Sequence, residues 1–205
     1  MKKLLSLMLL VVMLFLLVAC QDEEPVIPAP EPIRGTVVDT VYKNDYLGFE
    51  FTRPDSWVYS TDEEIAQTMN IGVEKLLGEN FKEALENNPS IYDMMVVDTI
   101  SRSSINVGYE NLSKTMSTNI TVEQYIAAVK KQLESVTEMT VTFPDTYDTV
   151  KLGETEFTRV VCSTTASGVN MTQVYYLRKM DGYMGFVIAT IVKDYTVADI
   201  EAMFK

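Results

Sequence analysis

Residues 183–192 form a ten-residue run in which nearly every side chain is apolar, and this run limits the possible folds most. The Asp181-Gly182 pair just before it is typical of a tight β-hairpin turn, so the run is predicted to be a strand that follows another at 169–180. A strand that is apolar at both odd and even positions needs cover on both faces. The sequence therefore predicts a sheet with other elements packed on each side.

A second segment, Met94-Met95-Val96-Val97, has the same pattern and predicts another strand that is buried on both faces. Alternating or β-branched segments predict the remaining strands. These lie at residues 36–43, 48–52, 57–59, 92–99, 104–110, 139–143 and 155–165.

Capping signals predict three helices. Thr61 is followed by Glu64, and Thr121 by Gln124, with the spacing of a capping box at a helix start. Thr196 marks a third start. Apolar residues at helical spacing behind these caps predict helices near 61–86, 121–136 and 196–205.

The predicted elements together indicate an α/β (α+β) fold, in which a largely antiparallel sheet is sandwiched between helices. About 170 residues, from 36 to 205, are enough for one domain with a substantial core. We therefore predict a single domain over residues 36–205.

The start and the end of this domain resemble those of PsbP-like domains. The start is residues 46–57, which contain Gly48-Phe49-Glu50-Phe51, Pro54 and Trp57. The end is the hairpin at Asp181-Gly182 and a short terminal helix that reaches Phe204. The PsbP-like fold is named after an extrinsic subunit of photosystem II and recurs in small bacterial lipoproteins. The resemblance implies an α/β/α sandwich with a non-catalytic binding or scaffold role.

The first twenty residues resemble the export signal of a bacterial lipoprotein. Two lysines precede a 16-residue apolar run at 4–19, and Leu17-Val18-Ala19-Cys20 matches the lipobox pattern at all four positions. The resemblance implies a signal peptide at 1–19, cleavage between Ala19 and Cys20, and a diacylglyceryl group with acyl chains such as palmitate on Cys20. An ordinary signal peptide, or an uncleaved anchor with a chance cysteine, is the alternative.

Residues 20–35 are predicted to be a tether. The segment 21–35 holds four prolines and four acidic residues and has no apolar periodicity, which is typical of an extended spacer. A proline-rich ligand for a partner is the alternative. With the lipid on Cys20, the tether predicts a protein anchored to the bacterial cell membrane on its extracytoplasmic face.

Charge excludes one class of partner. Without residues 1–19, which hold two of the 17 basic residues, the chain has a net charge of about −14. Nucleic acid binding needs clustered cations that displace counterions from phosphates, so we expect no nucleic acid partner. The same balance disfavours direct docking on an anionic membrane.

Candidate catalytic and metal-binding residues are few, because the chain contains no histidine. Cys162 lies in a β-branched segment and is predicted to be buried and unreactive. Asp62-Glu63-Glu64 is predicted to favour a helix start, and Asp145, Asp148 and Glu154 are predicted to form a solvated acidic loop rather than a Ca²⁺ site. We expect no catalytic residues, no metal site and no cofactor.

Aromatic side chains offer one further candidate site. Trp57, Tyr175, Tyr176 and Tyr183 are candidates for the lining of a ligand groove, although a place in the core is the default interpretation.

Two functions remain open at this point. The first is a membrane-anchored lipoprotein that binds an envelope protein or a small ligand and has no enzyme activity. The second is a hydrolase of cell-envelope material that uses two carboxylates in one cleft. The sequence leaves the oligomeric state open.

Overall fold

The structure is a computed structural model and describes residues 31–205, which form one compact unit from Glu31 to Lys205. The predicted signal peptide at 1–19, the lipidation site Cys20 and the tether up to residue 30 lie outside the described residues. From residue 31 onward, no helix has the length and apolar composition that crossing a bilayer requires.

The described residues contain eleven strands, most of them where the apolar patterns predict them. They are β1 (Thr36–Val38), β2 (Val41–Asn44), β3 (Phe49–Thr52), β4 (Trp57–Tyr59), β5 (Ser90–Asp98), β6 (Ser104–Asn111), β7 (Met139–Thr142), β8 (Asp148–Leu152), β9 (Thr155–Ala166), β10 (Val169–Met180) and β11 (Tyr183–Ile191).

Eight of these strands form one antiparallel sheet. Its order is β4-β5-β6-β11-β10-β9-β7, and β8 pairs with β9 as well. Strand β11, which corresponds to the apolar run at 183–192, therefore lies in the middle of the sheet. Strands β1, β2 and β3 form a separate three-stranded sheet, which no pattern in the sequence predicts.

Helices pack on both faces of the large sheet. They are α1 (Asp62–Met69), a 3₁₀ helix (Val73–Leu76), α2 (Asn80–Asn87), α3 (Leu112–Thr115), α4 (Val122–Glu134) and α5 (Val197–Glu201). Helices α1 and α2 contact strands β5 and β6, whereas α4 contacts β7 and β10. The predicted fold class, a largely antiparallel sheet between helices, is confirmed.

Alternate residues of the central strands point into two different cores. Val187 and its neighbour Tyr176 belong to the first core, which the small sheet, α1 and α2 cover. Phe186 and its neighbour Leu177 belong to the second core, which α4 covers. Strand β11 is buried on both faces for this reason, as its sequence predicts.

The segment Met94–Val97, also predicted to be buried on both faces, is fully buried on one face only. Met94 and Val96 are buried, but Met95 and Val97 are only half-buried. The physical reason is position, because β5 lies next to the edge strand β4 while α4 packs on the other half of the sheet. Burial of Met94–Val97 on the second face is therefore a wrong prediction.

Two of the predicted helices are shorter than their apolar spacing suggests. The helix predicted over 61–86 breaks at Asn70, which adopts a left-handed conformation with φ of 55°, and resumes as α2 after the 3₁₀ helix. The last helix, predicted to reach 205, ends at Glu201. Phe204 beyond it forms a β-bridge with Phe51 and fills the first core.

Candidate functional site

A cavity of about 170 Å³ lies between helix α4 and the second face of the large sheet. Side chains from β5, β6, β9, β10, β11 and α4, together with Phe143, line it, and most of them are apolar. A cavity of about 150 Å³ is enough to hold benzene. The space therefore fits one six-membered ring or a branched aliphatic group of that size.

Helix α4 forms one wall of the cavity, and local hydrogen bonds fix the residue at which this helix begins. The Thr121 hydroxyl accepts a hydrogen bond from the Gln124 N–H, and the Gln124 side chain accepts one from the Thr121 N–H. The predicted capping box is therefore present. It places Tyr125 and Val129, one turn apart, on the side of the helix that faces the cavity.

Aromatic rings form much of the remaining wall. Tyr92 and Phe186 meet edge to face, with ring centroids 5.8 Å apart. The Phe186 ring lies against Gly108, where a Cβ atom would come within 2.6 Å of it, so the absence of a side chain on Gly108 lets this ring approach the sheet. Tyr175 and Phe143 complete the aromatic part of the wall. The cavity thus offers flat apolar surfaces suited to stacking.

Glu110 is the only charged side chain in this wall among the described residues. Its Oε2 accepts a hydrogen bond from the Tyr125 hydroxyl, at 2.5 Å. Burial raises the pKa of Tyr125 well above its ordinary value, and the carboxylate beside it adds to the shift, so the phenol stays protonated and donates. Within residues 31–205, no lysine or arginine pairs with Glu110, and its Oε1 accepts no hydrogen bond.

The described cavity wall supplies one of the two carboxylates that a common hydrolytic mechanism uses. Glycoside hydrolysis by the common mechanism uses two carboxylates that flank the bond. In the described part of the chain, the cavity wall supplies one, and its Oε2 is held by Tyr125. The chain also contains no histidine that would act as a general base.

Cys162 lies in the second core behind this cavity and is fully buried, which confirms its predicted burial. Burial raises the pKa of its thiol to about 11. Because the thiolate is the nucleophilic form, the thiol is poorly suited to attack at neutral pH.

The predicted acidic candidates lie apart from the cavity and serve structural contacts. Glu64 completes the capping box with Thr61, as predicted, and Asp62 pairs with Arg34. Asp148 lies in strand β8, not in a loop, because Thr149-Val150-Lys151-Leu152 pairs with β9. There the carboxylate accepts hydrogen bonds from Arg159. No group of three or more Cys, Asp or Glu within residues 31–205 is placed to hold a metal ion.

The predicted aromatic groove is mostly core. Trp57 and Tyr176 are fully buried in the first core, and Tyr183 packs against it. Of the four aromatic candidates, Tyr175 alone lines the cavity.

A buried polar cluster on the other face contains a second carboxylate, that of Asp93. Its Oδ2 accepts hydrogen bonds from the Tyr42 hydroxyl at 2.5 Å, the Asn44 side chain at 2.7 Å and the Gly35 N–H at 2.9 Å. Its Oδ1 faces the Arg34 Nε at 3.5 Å, which is an ion pair but longer than a good hydrogen bond. We name these five residues the Asp93 cluster.

The Asp93 cluster attaches the segment before β1 to the core. Arg34 also donates hydrogen bonds to the carboxylate of Asp62 and to the Leu76 carbonyl, and the Tyr109 hydroxyl donates to the Ile33 carbonyl. Burial raises the pKa of Asp93, while its hydrogen bonds and Arg34 oppose this shift. Because these contacts join residues 33–35 to parts of the chain that are 28 to 76 positions away, we assign the cluster a structural role.

Solved structures similar to this chain include one of a cyanobacterial protein. No family model and no curated protein matches the chain. The chain is similar to the solution structure of cyanobacterial PsbP (CyanoP) from Synechocystis sp. PCC 6803, with a TM-score of 0.48 and 10% sequence identity. The similarity covers 85% of this chain and 97% of that chain. At this level the comparison assigns no ligand or partner to the chain.

Sequence reasoning missed the cavity and its carboxylate. The one signal was Glu110 itself, an acidic residue at the end of the otherwise neutral strand β6. A charge at a strand end is normally solvated, so the pattern alone did not single it out.

Proposed function

We propose that the chain is a lipid-anchored extracytoplasmic binding protein without enzyme activity, and that it holds a small ligand between α4 and the large sheet. One observation carries this proposal: a cavity of about 170 Å³ with aromatic walls and a single carboxylate. Apolar pockets with a few convergent polar groups are the usual form of ligand sites.

The support for a non-catalytic role is chemical. Glu110 is the only acid in the described wall, Cys162 is buried with a raised pKa, and the sequence has no histidine. The carboxylate-dependent hydrolase that the sequence left open requires a second acid in the same cleft. Asp93 does not supply this second acid. It lies on the other face of the sheet, where it accepts hydrogen bonds from Tyr42 and Asn44.

The anchor is proposed from the lipobox at Leu17-Val18-Ala19-Cys20. Two acyl chains on one cysteine hold a protein on a membrane stably, whereas one chain alone holds it only marginally. The strongly acidic chain would add no attraction to an anionic leaflet.

The anchor leads to a first prediction. We expect Cys20→Ala in the precursor to abolish incorporation of a palmitate analogue and to block cleavage before residue 20, because the acceptor sulfur is lost. Metabolic labelling in the cell followed by mass spectrometry of the N-terminus measures both. Cys162→Ala is the matched control, since it removes the only other cysteine, and it should label normally. Lipid on the Cys20→Ala chain would place the anchor elsewhere.

A second prediction tests the cavity. We expect Val129→Phe to fill it, because Val129 is on the cavity side of α4 and is half-buried, with room for the added ring. Benzyl alcohol should shift the methyl resonances of Ile126, Val160 and Ile188 in the lipidated wild-type chain in nanodiscs, and should leave them unchanged in the variant.

The control for this experiment is Val136→Phe, which makes the same change at an exposed position just beyond α4. It should bind benzyl alcohol like the wild type. A wild-type chain whose cavity methyls do not respond to any small aromatic probe would reject the ligand site. It would then favour the other role considered, a scaffold for an envelope protein.

A further inference from the structure

We infer that the ligand of this cavity is a small amine whose apolar part is a single ring or a branched group of similar size. This inference rests on the proposed function and names the ligand class for the same site. It rests on the size of the cavity, the aromatic side chains of its wall and the lack of a basic partner for Glu110 within residues 31–205.

Size limits the apolar part of the ligand. Pockets for drug-sized molecules usually measure about 300–1,000 Å³, whereas this cavity measures about 170 Å³. It therefore has room for one ring and a short substituent. Ser90, which lines the cavity and is exposed, places part of the wall at the protein surface, where a small molecule can enter.

The aromatic wall suits a cation as well as an apolar ring. Tyr92, Tyr125, Phe143, Tyr175 and Phe186 all contribute to it. The faces of such rings attract ammonium groups, and more strongly when water is excluded.

Glu110 decides the charge of the ligand. Its Oε2 is occupied by the Tyr125 hydroxyl, while within residues 31–205 its Oε1 accepts no hydrogen bond and no basic side chain pairs with it. A neutral apolar ligand would displace water from this carboxylate without replacing its hydrogen bonds, which is unfavourable. A protonated amine replaces them with a charge-assisted hydrogen bond, and a carboxylate ligand would be repelled.

One basic side chain lies beside an aromatic ring of the wall, but within residues 31–205 it pairs with Glu134 and makes no ion pair with Glu110. Lys130 lies on α4 with its Nζ 5.9 Å from the centroid of the Phe143 ring, and it is not part of the cavity wall. Its side chain is 45% exposed, so water screens its charge. The acidic balance of the whole chain, −12 over its full length, also favours cationic over anionic ligands.

The experiment compares three probes of nearly equal size: benzylamine, benzyl alcohol and benzoate. Each is titrated at pH 7 into the lipidated chain in nanodiscs, with protein-free nanodiscs correcting for partition into lipid, and the methyls of Ile126, Val160 and Ile188 report binding. We expect benzylamine to bind at least about tenfold more tightly than benzyl alcohol, and benzoate to bind most weakly.

Glu110→Gln should reduce the preference for benzylamine to within about twofold while benzyl alcohol still binds, because glutamine keeps an acceptor for Tyr125 but carries no charge. Continued binding of benzyl alcohol shows that this variant is folded. Glu156→Gln is the matched control, since Glu156 is also on a strand but is exposed and outside the cavity wall. It should keep the wild-type preference.

The outcomes separate the two proposals. If benzyl alcohol or benzoate binds in the cavity as tightly as benzylamine, the amine assignment is wrong and the binding function stands. If the preference for benzylamine survives in Glu110→Gln, the assignment to Glu110 is wrong. If no probe shifts the cavity methyls, both the amine assignment and the proposed binding function fail.

Discussion

Replacing Asp93 with alanine is expected to destabilise the fold by about 3–5 kcal/mol, the usual effect of removing one partner from a buried charged pair. The loss leaves the Tyr42 hydroxyl, the Asn44 amide and the Gly35 N–H without their shared acceptor in the protein interior. Arg34 also loses one of its two carboxylate partners. Urea unfolding, followed by the fluorescence of Trp57, measures the change.

Two other variants separate the buried contacts from the surface pair. Asp93→Asn keeps a side-chain acceptor and should cost less than Asp93→Ala. Asp62→Ala removes the partly exposed partner of Arg34 and should cost no more than about 1 kcal/mol. If Asp93→Ala were no worse than Asp62→Ala, the Asp93 cluster would not stabilise the fold as its geometry indicates.

The pKa of Asp93 adds a dependence on pH. Burial raises this pKa above its value in the unfolded chain, so the folded state holds a proton at Asp93 more readily than the unfolded state. The contribution to stability is therefore fully present below the unfolded pKa and is lost as pH rises through the folded pKa. Asp93→Asn should remove this component of the pH dependence.

A chain that begins at Thr36 is expected to be less stable than one that begins at Glu31, by at least about 2 kcal/mol, since it lacks a hydrogen bond to a buried carboxylate and an ion pair. It loses the Gly35 N–H and the Arg34 guanidinium from the Asp93 cluster, and the Tyr109 hydroxyl loses the Ile33 carbonyl as its acceptor. Parallel urea titrations of the two chains measure the difference.

The control for this truncation is Ile33→Ala in the longer chain. Ile33 is about half exposed, and its carbonyl is unaffected by the change, so the variant should unfold close to the parent. Equal stability of the chains from Thr36 and from Glu31 would mean that residues 31–35 do not stabilise the fold. The domain would then begin at residue 36, as the sequence predicts.

The features predicted correctly from the sequence are mainly those formed by residues close together in the chain, such as helix caps and the hairpin turn. The caps at Thr61, Thr121 and Thr196 depend on residues three positions apart, and all three form in the structure. The hairpin at Asp181-Gly182 likewise depends on two residues, and it joins β10 to β11 as predicted, with Met180 paired to Tyr183. Such features are predictable because the interacting groups are neighbours in the chain.

Features that depend on distant residues could not be predicted. Arg34 meets Asp93 across 59 positions, and nothing in either segment indicates the other. Predicting the cavity would require knowing where α4 packs on the sheet, because the lining residues are spread along the sequence between Ser90 and Ile188. Hydrophobic patterns specify which face of an element is buried, but not how completely a neighbour covers it, as Met95 and Val97 show.

The burial of Cys162 has a consequence for how the chain folds. The full sequence contains two cysteines, and the one in the folded unit is fully enclosed by the second core, so it cannot bond to another thiol without unfolding. Within residues 31–205, stability therefore comes from packing, hydrogen bonds and ion pairs, with no disulfide bond. We therefore expect the unit formed by residues 31–205 to reach the same native state in oxidising and in reducing surroundings, without enzymes that form disulfides.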